Sequence, residues 1–257
     1  MKHRYYDLHI NAENLEEKIK FAEYLGWDGI CLVKEFDRNF SSFYDEVRKL
    51  KRKADIEILI GAQITGKTKK EVSKEARASL EYADIILANG SSSRVRSVAE
   101  CWEIDILCYP EKGAEKDFLD YKNSGMDHTI ARLMAERFIA LEINFSEILN
   151  SYGILRSQVI GRMRQNLILA KKYSVPVILV SGAREKYDMR SPRELIAIGM
   201  STGMKEEDAK KALEENPLRI IKKSRDRKDP AVIMKGLEVV RWGGQKPVEK
   251  KRMYGWY

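Results

Sequence analysis

Histidine is scarce in this chain, with only His3, His9 and His128 among 257 residues. A multinuclear metal hydrolase gathers several neutral imidazoles, because their nitrogens are preferred ligands for zinc, manganese or iron, and three scattered histidines are too few. Cysteine is equally sparse. Cys31, Cys101 and Cys108 are odd in number, have no CxxC spacing and lie partly in apolar runs, so they read as buried reduced thiols. No apolar run approaches the roughly 20 residues of a membrane-spanning helix, and the opening MKHRYYDLHINAEN lacks the greasy centre of a secretion signal. The expectation is a soluble, cytoplasmic protein with no membrane partner. Also missing are a P-loop, a dinucleotide fingerprint and a Ser-His-Asp elbow, so no catalytic residue is nominated.

Positive charge is what the chain has in excess, and it is unevenly placed. The net formal charge is +8, and Lys222 to Tyr257 holds eleven Lys/Arg against four Asp/Glu, a net of +7 that leaves about +1 for the rest. This suggests a nearly neutral body over residues 1–221 and a basic arm over 222–257, able to follow phosphates and release counterions. The arm interleaves Trp242, Tyr254, Trp256 and Tyr257 with Arg241, Lys246, Lys250, Lys251 and Arg252. Rings that stack on unpaired bases beside cations that hold phosphates make an RNA-binding combination; a solubilising tail is the competing reading.

Strand-like and helix-like stretches alternate along the body. Strands are expected at Tyr5–Ile10, Gly29–Val33, Ile56–Ile64, Ile85–Ala88, Ile104–Tyr109, Phe138–Ile143 and Val175–Val180, separated by helical patterns with apolar residues three and four apart. The first helix is read from Asn14 as N-cap with Glu17 in a capping-box position, and Gly26 as its stop. Seven strands in this alternation demand a parallel sheet with helices outside. The expected fold is α/β, an irregular or incomplete TIM-type barrel, with an open doubly wound sheet as the alternative and no visible eighth strand.

In such folds binding and chemistry collect where strands end and loops enter helices. Asp7 and His9 are two apart on the first strand, so they would share a face, and with Glu142 they form the one set able to hold a single ion. The competing reading is ordinary polar contacts at a strand end. Two loops offer cations instead. LANGSSSRVRSVAE carries Arg94 and Arg96 into a helix start, where free backbone N–H groups would join the guanidinium groups; a plain N-cap turn is the alternative. VSGAREKYDMRSPREL clusters Arg184, Lys186, Arg190 and Arg193 at a helix start fixed by Ser191, Pro192 and Glu194, suited to a nucleic-acid or partner contact, with a solvated charged loop as the alternative.

Three stretches together, DLHIN at the first strand, GMDHTIARLMAERFIALEINFSEIL (residues 125–149) and VSGAREKYDMRSPRELIAIGMSTGMKEEDAKKALEENPLRII (residues 180–221), resemble the archaeal ribonuclease P protein component 3 family, relatives of the eukaryotic 30-kilodalton subunit. The likeness covers residues 1–221. It implies a TIM-barrel-like protein of the polymerase-and-histidinol-phosphatase (PHP) superfamily that serves the ribonucleoprotein removing 5′ leaders from precursor tRNA. In that family the RNA carries catalysis with magnesium, no cofactor belongs to this chain, and the partners are ribonuclease P RNA, precursor tRNA, protein component 2 and the other ribonuclease P proteins. PHP hydrolases carry His-x-His where this chain has Asp7 and His9, so the stretch looks like a metal-site remnant and no metal ligand is nominated. The RNA contacts expected are Arg94, Arg96, His128, Arg184, Lys186, Arg190, Lys250, Lys251 and Arg252. A PHP-type metal-dependent phosphoesterase is the alternative function, and a protein-interaction module using the apolar Ala231–Trp242 segment is a third.

Overall fold

In the computed structural model, which describes residues 3–91, 94–112, 117, 122–234 and 236–244, the apolar runs become seven parallel strands in sequential order. They are β1 (Tyr6–Asn11), β2 (Gly29–Glu35), β3 (Glu57–Ile64), β4 (Ile85–Asn89), β5 (Ile106–Cys108), β6 (Ala140–Asn144) and β7 (Val177–Val180). The strands read as unbroken apolar runs because both faces are covered. One set of side chains, including Leu8, Val33, Leu59, Leu87, Ile106 and Val180, fills the barrel interior, and the alternate set packs against the surrounding helices.

The helices are α1 (Leu15–Leu25), α2 (Phe40–Lys51), α3 (Lys69–Ser79), α4 (Val95–Ala99), α5 (His128–Arg137), α6 (Phe145–Leu149), α7 (Gly153–Tyr173), α8 (Pro192–Ser201), α9 (Glu206–Leu213) and α10 (Glu215–Lys228). Ser191 and Glu194 form the expected capping box at α8, and Asp127 caps α5 by accepting from the Ile130 amide. Asn14 departs from expectation. It is left-handed, with φ 51°, and its side chain makes no cap bond; the chain turns sharply out of β1 there, a conformation asparagine tolerates better than most residues. Glu17 pairs with Lys186 instead of closing a box.

The barrel is nearly closed. β7 and β1 share no regular ladder, but Gly182 N–H donates to the His9 carbonyl and Asn11 N–H to the Ala183 carbonyl, each at 3.0 Å. The open doubly wound sheet is therefore not the arrangement adopted. No eighth parallel strand occurs among the described residues; a short antiparallel hairpin, β8 (Val232–Met234) with β9 (Leu237–Glu238), follows the last helix. Its Ile233, Leu237 and nearby Val240 are exposed.

Helix α10 plugs the end of the barrel where the strands begin. Ile220 and Ile221 join the interior cluster, and Lys223, 3% exposed, reaches the carbonyls of Ile104, Arg137 and Phe138. Asp105 receives Lys223 at 3.1 Å and Arg227 at 2.6 Å. Lys228 pairs with Asp84 at 3.2 Å, and Arg225 with Glu57. The boundary expected after residue 221 thus falls inside a helix. Four of the arm's eleven cations are engaged in the fold by three body carboxylates, Asp105, Asp84 and Glu57, which offset three of the arm's seven surplus charges.

Candidate functional site

The C-terminal ends of the strands form the barrel mouth, and β1 reaches it through an irregularity. Register with β2 slips between Asp7 and Ile10, so the simple alternation that would place Asp7 and His9 on one face is broken there. The Asp7 carboxylate turns into the seam between β1 and β7. It accepts from the Ser181 amide at 3.2 Å and the His9 amide at 3.2 Å, satisfying backbone that the incomplete ladder leaves without strand partners. The His9 ring instead meets Glu142 and Cys108. The expected trio of Asp7, His9 and Glu142 is replaced by His9, Cys108 and Glu142, whose donor atoms lie within 4.8 Å of one another.

Every oxygen of Glu142 has a donor. Oε2 accepts from His9 Nδ1 at 2.8 Å and from the Cys108 thiol at 2.9 Å, while Oε1 accepts from Asn144 Nδ2 at 2.7 Å. All three partners are buried. Burial would raise Glu142, but the His9 charge and these donors hold it below the usual carboxylate range. Burial opposes charge on His9, yet the facing Glu142 keeps its imidazole above its ordinary pKa. The Cys108 thiol is driven far up, first by burial and then by Glu142, and so stays protonated. Asp7 rises to about 6 through burial, against the pull of its amide donors.

This chemistry fits a metal poorly. An ion ligated at Glu142 Oε2 would have to displace the two hydrogen bonds from His9 and Cys108 and strip a proton from a thiol that resists losing it, with only one imidazole in return. The buried atoms form a self-neutralising imidazolium–carboxylate pair that ties β1, β5 and β6 together. Beside it lies Glu111, 2% exposed, whose two carboxylate oxygens have no hydrogen-bond partner in another described residue. Burial, with repulsion from Glu147 and Glu142, pushes it to about 8.

The cations nominated from the sequence occupy the rim, on two sides. Arg94 and Arg96 follow β4, while Arg184, Lys186 and Arg190 follow β7, so the ring order separates the two loops. Arg94 holds neighbouring loops together, donating to the Thr65 carbonyl at 2.9 Å and to Ser91 Oγ at 3.0 Å, and Arg96 pairs with Glu100 at 3.0 Å. Lys186 pairs with Glu17 and sits over the Tyr187 ring. Arg190 donates to the Tyr187 and Met189 carbonyls and covers the Phe145 ring at 5.0 Å. Arg184 is exposed and makes no hydrogen bond or ion pair among the described residues. His128 is exposed at the start of α5. Lys250, Lys251 and Arg252 lie outside the described residues.

Sequence reasoning missed three mouth residues: Cys108, Asn144, and Tyr109, whose hydroxyl accepts from Asn144 Nδ2 at 3.2 Å and whose ring stands edge-on to His9. The signal was positional: Cys108 ends β5, and Asn144 ends β6 two residues beyond Glu142, which are the places where a parallel barrel presents side chains at its mouth.

The ribonuclease P protein component 3 of Methanocaldococcus jannaschii is 32% identical over 206 residues, spanning 80% of this chain and 85% of the relative. A chain in the structure of archaeal ribonuclease P with mature tRNA superposes with a TM-score of 0.79 at 28% identity, covering 93% of this chain and all of that one. A Listeria monocytogenes protein assigned as a histidinol phosphatase matches with a TM-score of 0.52 at 13% identity, over 72% of this chain and 97% of that one, a likeness of fold alone. The sequence matches the family of the RNase P subunit p30 over residues 4–229, and the chain belongs to that family.

Proposed function

We propose that this subunit of ribonuclease P contributes binding and support, and that the chemistry of precursor-tRNA cleavage lies in the RNA with its magnesium. One observation carries this reading: both oxygens of Glu142, the buried carboxylate at the barrel mouth, are engaged by His9, Cys108 and Asn144, so this carboxylate has no free oxygen to offer an ion or a nucleophile. The same observation counts against a metal-dependent phosphoesterase, despite the shared fold. The chain holds no metal or cofactor of its own in this account, and it works in the cytoplasm.

The partners are ribonuclease P RNA, precursor tRNA, protein component 2 and the other proteins of the particle. The tRNA-bound archaeal ribonuclease P whose chain superposes on this one supports the RNA partners. Among the rim cations, Arg184 is the first candidate for a phosphate because it is exposed and makes no hydrogen bond or ion pair among the described residues, and Lys186 and Arg190 stand beside it on the same loop. Arg94 and Arg96 face RNA only with the donors left over from their internal bonds. His128, Lys250, Lys251 and Arg252 complete the proposed contacts.

Reconstitution tests the proposal. The particle assembled from RNA and cognate proteins should cleave precursor tRNA more slowly at modest magnesium when this chain alone is left out. Unchanged cleavage on omission would refute it.

A further inference from the structure

Away from the mouth, α7 and the corner between α8 and α9 enclose a cleft of about 420 Å³. One wall is a stripe of α7 in which Arg164, Leu167, Ile168 and Lys171 recur at the three- and four-residue spacing of a single helix face. This is not the face α7 buries, which carries Val159, Met163, Asn166 and Ala170. Ile168 is 68% exposed, a branched apolar side chain that the fold leaves uncovered. Val175 and Val177, at the start of β7, add aliphatic surface and place the cleft at the opposite end of that strand from the mouth.

The charge around this apolar floor is one-sided. Arg164, Lys171, Lys205 and Lys211 surround it, against the single acid Asp208, which lies 3.6 Å from Lys171 across the cleft. The side chains of Lys205 and Lys211 make no ion pair or hydrogen bond among the described residues. No aromatic ring among the described residues lines the cleft, so these residues offer a nucleobase nothing to stack on. An aliphatic side chain against Leu167, Val177 and Met204, with carboxylates on either side reaching the rim cations, would match both features.

We propose that this cleft docks an acidic, aliphatic-bearing segment of a partner protein. The surface is separate from the rim that faces RNA, and its chemistry stands whether or not the noncatalytic reading of the mouth holds. Asp208 competes with such a ligand for Lys171.

The test is methyl-resolved NMR of the full chain titrated with a short peptide of alternating Asp and Leu, with a Lys–Leu peptide and oligoadenylate as comparisons. The Asp–Leu peptide should shift the methyls of Leu167, Ile168, Val175, Val177 and Met204 saturably, and the other two probes should not. Lys205→Glu with Lys211→Glu should weaken binding by about tenfold, and Asp208→Asn should tighten it by about threefold. All these substitutions are at exposed or half-exposed positions, so the fold is kept. Unmoved methyls at millimolar peptide, equal shifts from oligoadenylate or the Lys–Leu peptide, or an affinity indifferent to the charge reversals would overturn the proposal.

Discussion

His9 Nδ1 and Glu142 Oε2 stand 2.8 Å apart in the barrel mouth, the imidazole held above its ordinary pKa and the carboxylate below. Removing Glu142 takes away the charge that holds the His9 proton and leaves the His9, Cys108 and Asn144 donors without their acceptor. Glu142→Ala should therefore cost about 3–5 kcal/mol in urea unfolding at neutral pH, and Glu142→Gln less, because it retains an acceptor. The His9 contribution is fully present below the unfolded pKa and fades as pH rises through the folded one; the Glu142 contribution fades as pH falls through its depressed value. A Glu142→Ala protein as stable as the parent would contradict the pairing.

Glu111 makes the opposite prediction about acidity. Its folded pKa of about 8 lies above the value it has when unfolded, so the folded state keeps a proton that the unfolded state has lost. Between about pH 4.5 and 8 stability should fall as pH rises, with a slope approaching about 1.4 kcal/mol per pH unit from this group. Glu111→Gln cannot ionise and should remove that slope, leaving the variant more stable than the parent at pH 8. Denaturant midpoints compared at pH 5 and pH 8 check it.

The buried Lys223–Asp105 pair, 3.1 Å apart, makes the start of the basic segment part of the body. Lys223→Ala should destabilise by about 2–3 kcal/mol: Asp105 keeps Arg227 but loses its second cation, and the carbonyls of Ile104, Arg137 and Phe138 lose their donor. A chain ending at residue 221 should lose the cooperative thermal transition, whereas one ending at residue 244 should keep it. Equal melting of the two truncations would place the boundary back at 221.

Arg184 and Arg94 should behave differently although both lie on the rim. Arg184→Ala should leave the melting temperature unchanged and lower the salt dependence of RNA binding by about one phosphate contact. Arg94→Ala should lower stability by about 1–2 kcal/mol, because the Thr65 carbonyl and Ser91 hydroxyl lose their donor. Salt-titrated binding and unfolding measured on both variants separate the two roles.

Much of this architecture can be read from the sequence, because seven strands covered on both faces leave seven apolar runs. The α8 start is legible for a similar local reason: Ser191, Pro192 and Glu194 determine it within four residues. What is illegible depends on distant partners. The register slip after Asp7 shows in no local pattern, yet it sends the carboxylate into the β1–β7 seam and the ring of His9 toward Glu142. Lys223 and Arg227 look like solvated charge until Asp105, at the foot of β5, is placed beneath them. Cys108 reads as an inert thiol, and only the ring closure brings it to Glu142.

Incubating the isolated polypeptide, stripped of RNA, with precursor tRNA and magnesium or manganese tests the central claim most directly. A mouth whose carboxylate is already saturated by His9, Cys108 and Asn144 should release no 5′ leader, while the complete particle does. Leader release by the polypeptide alone, abolished by Glu142→Gln in a folded protein, would contradict the account.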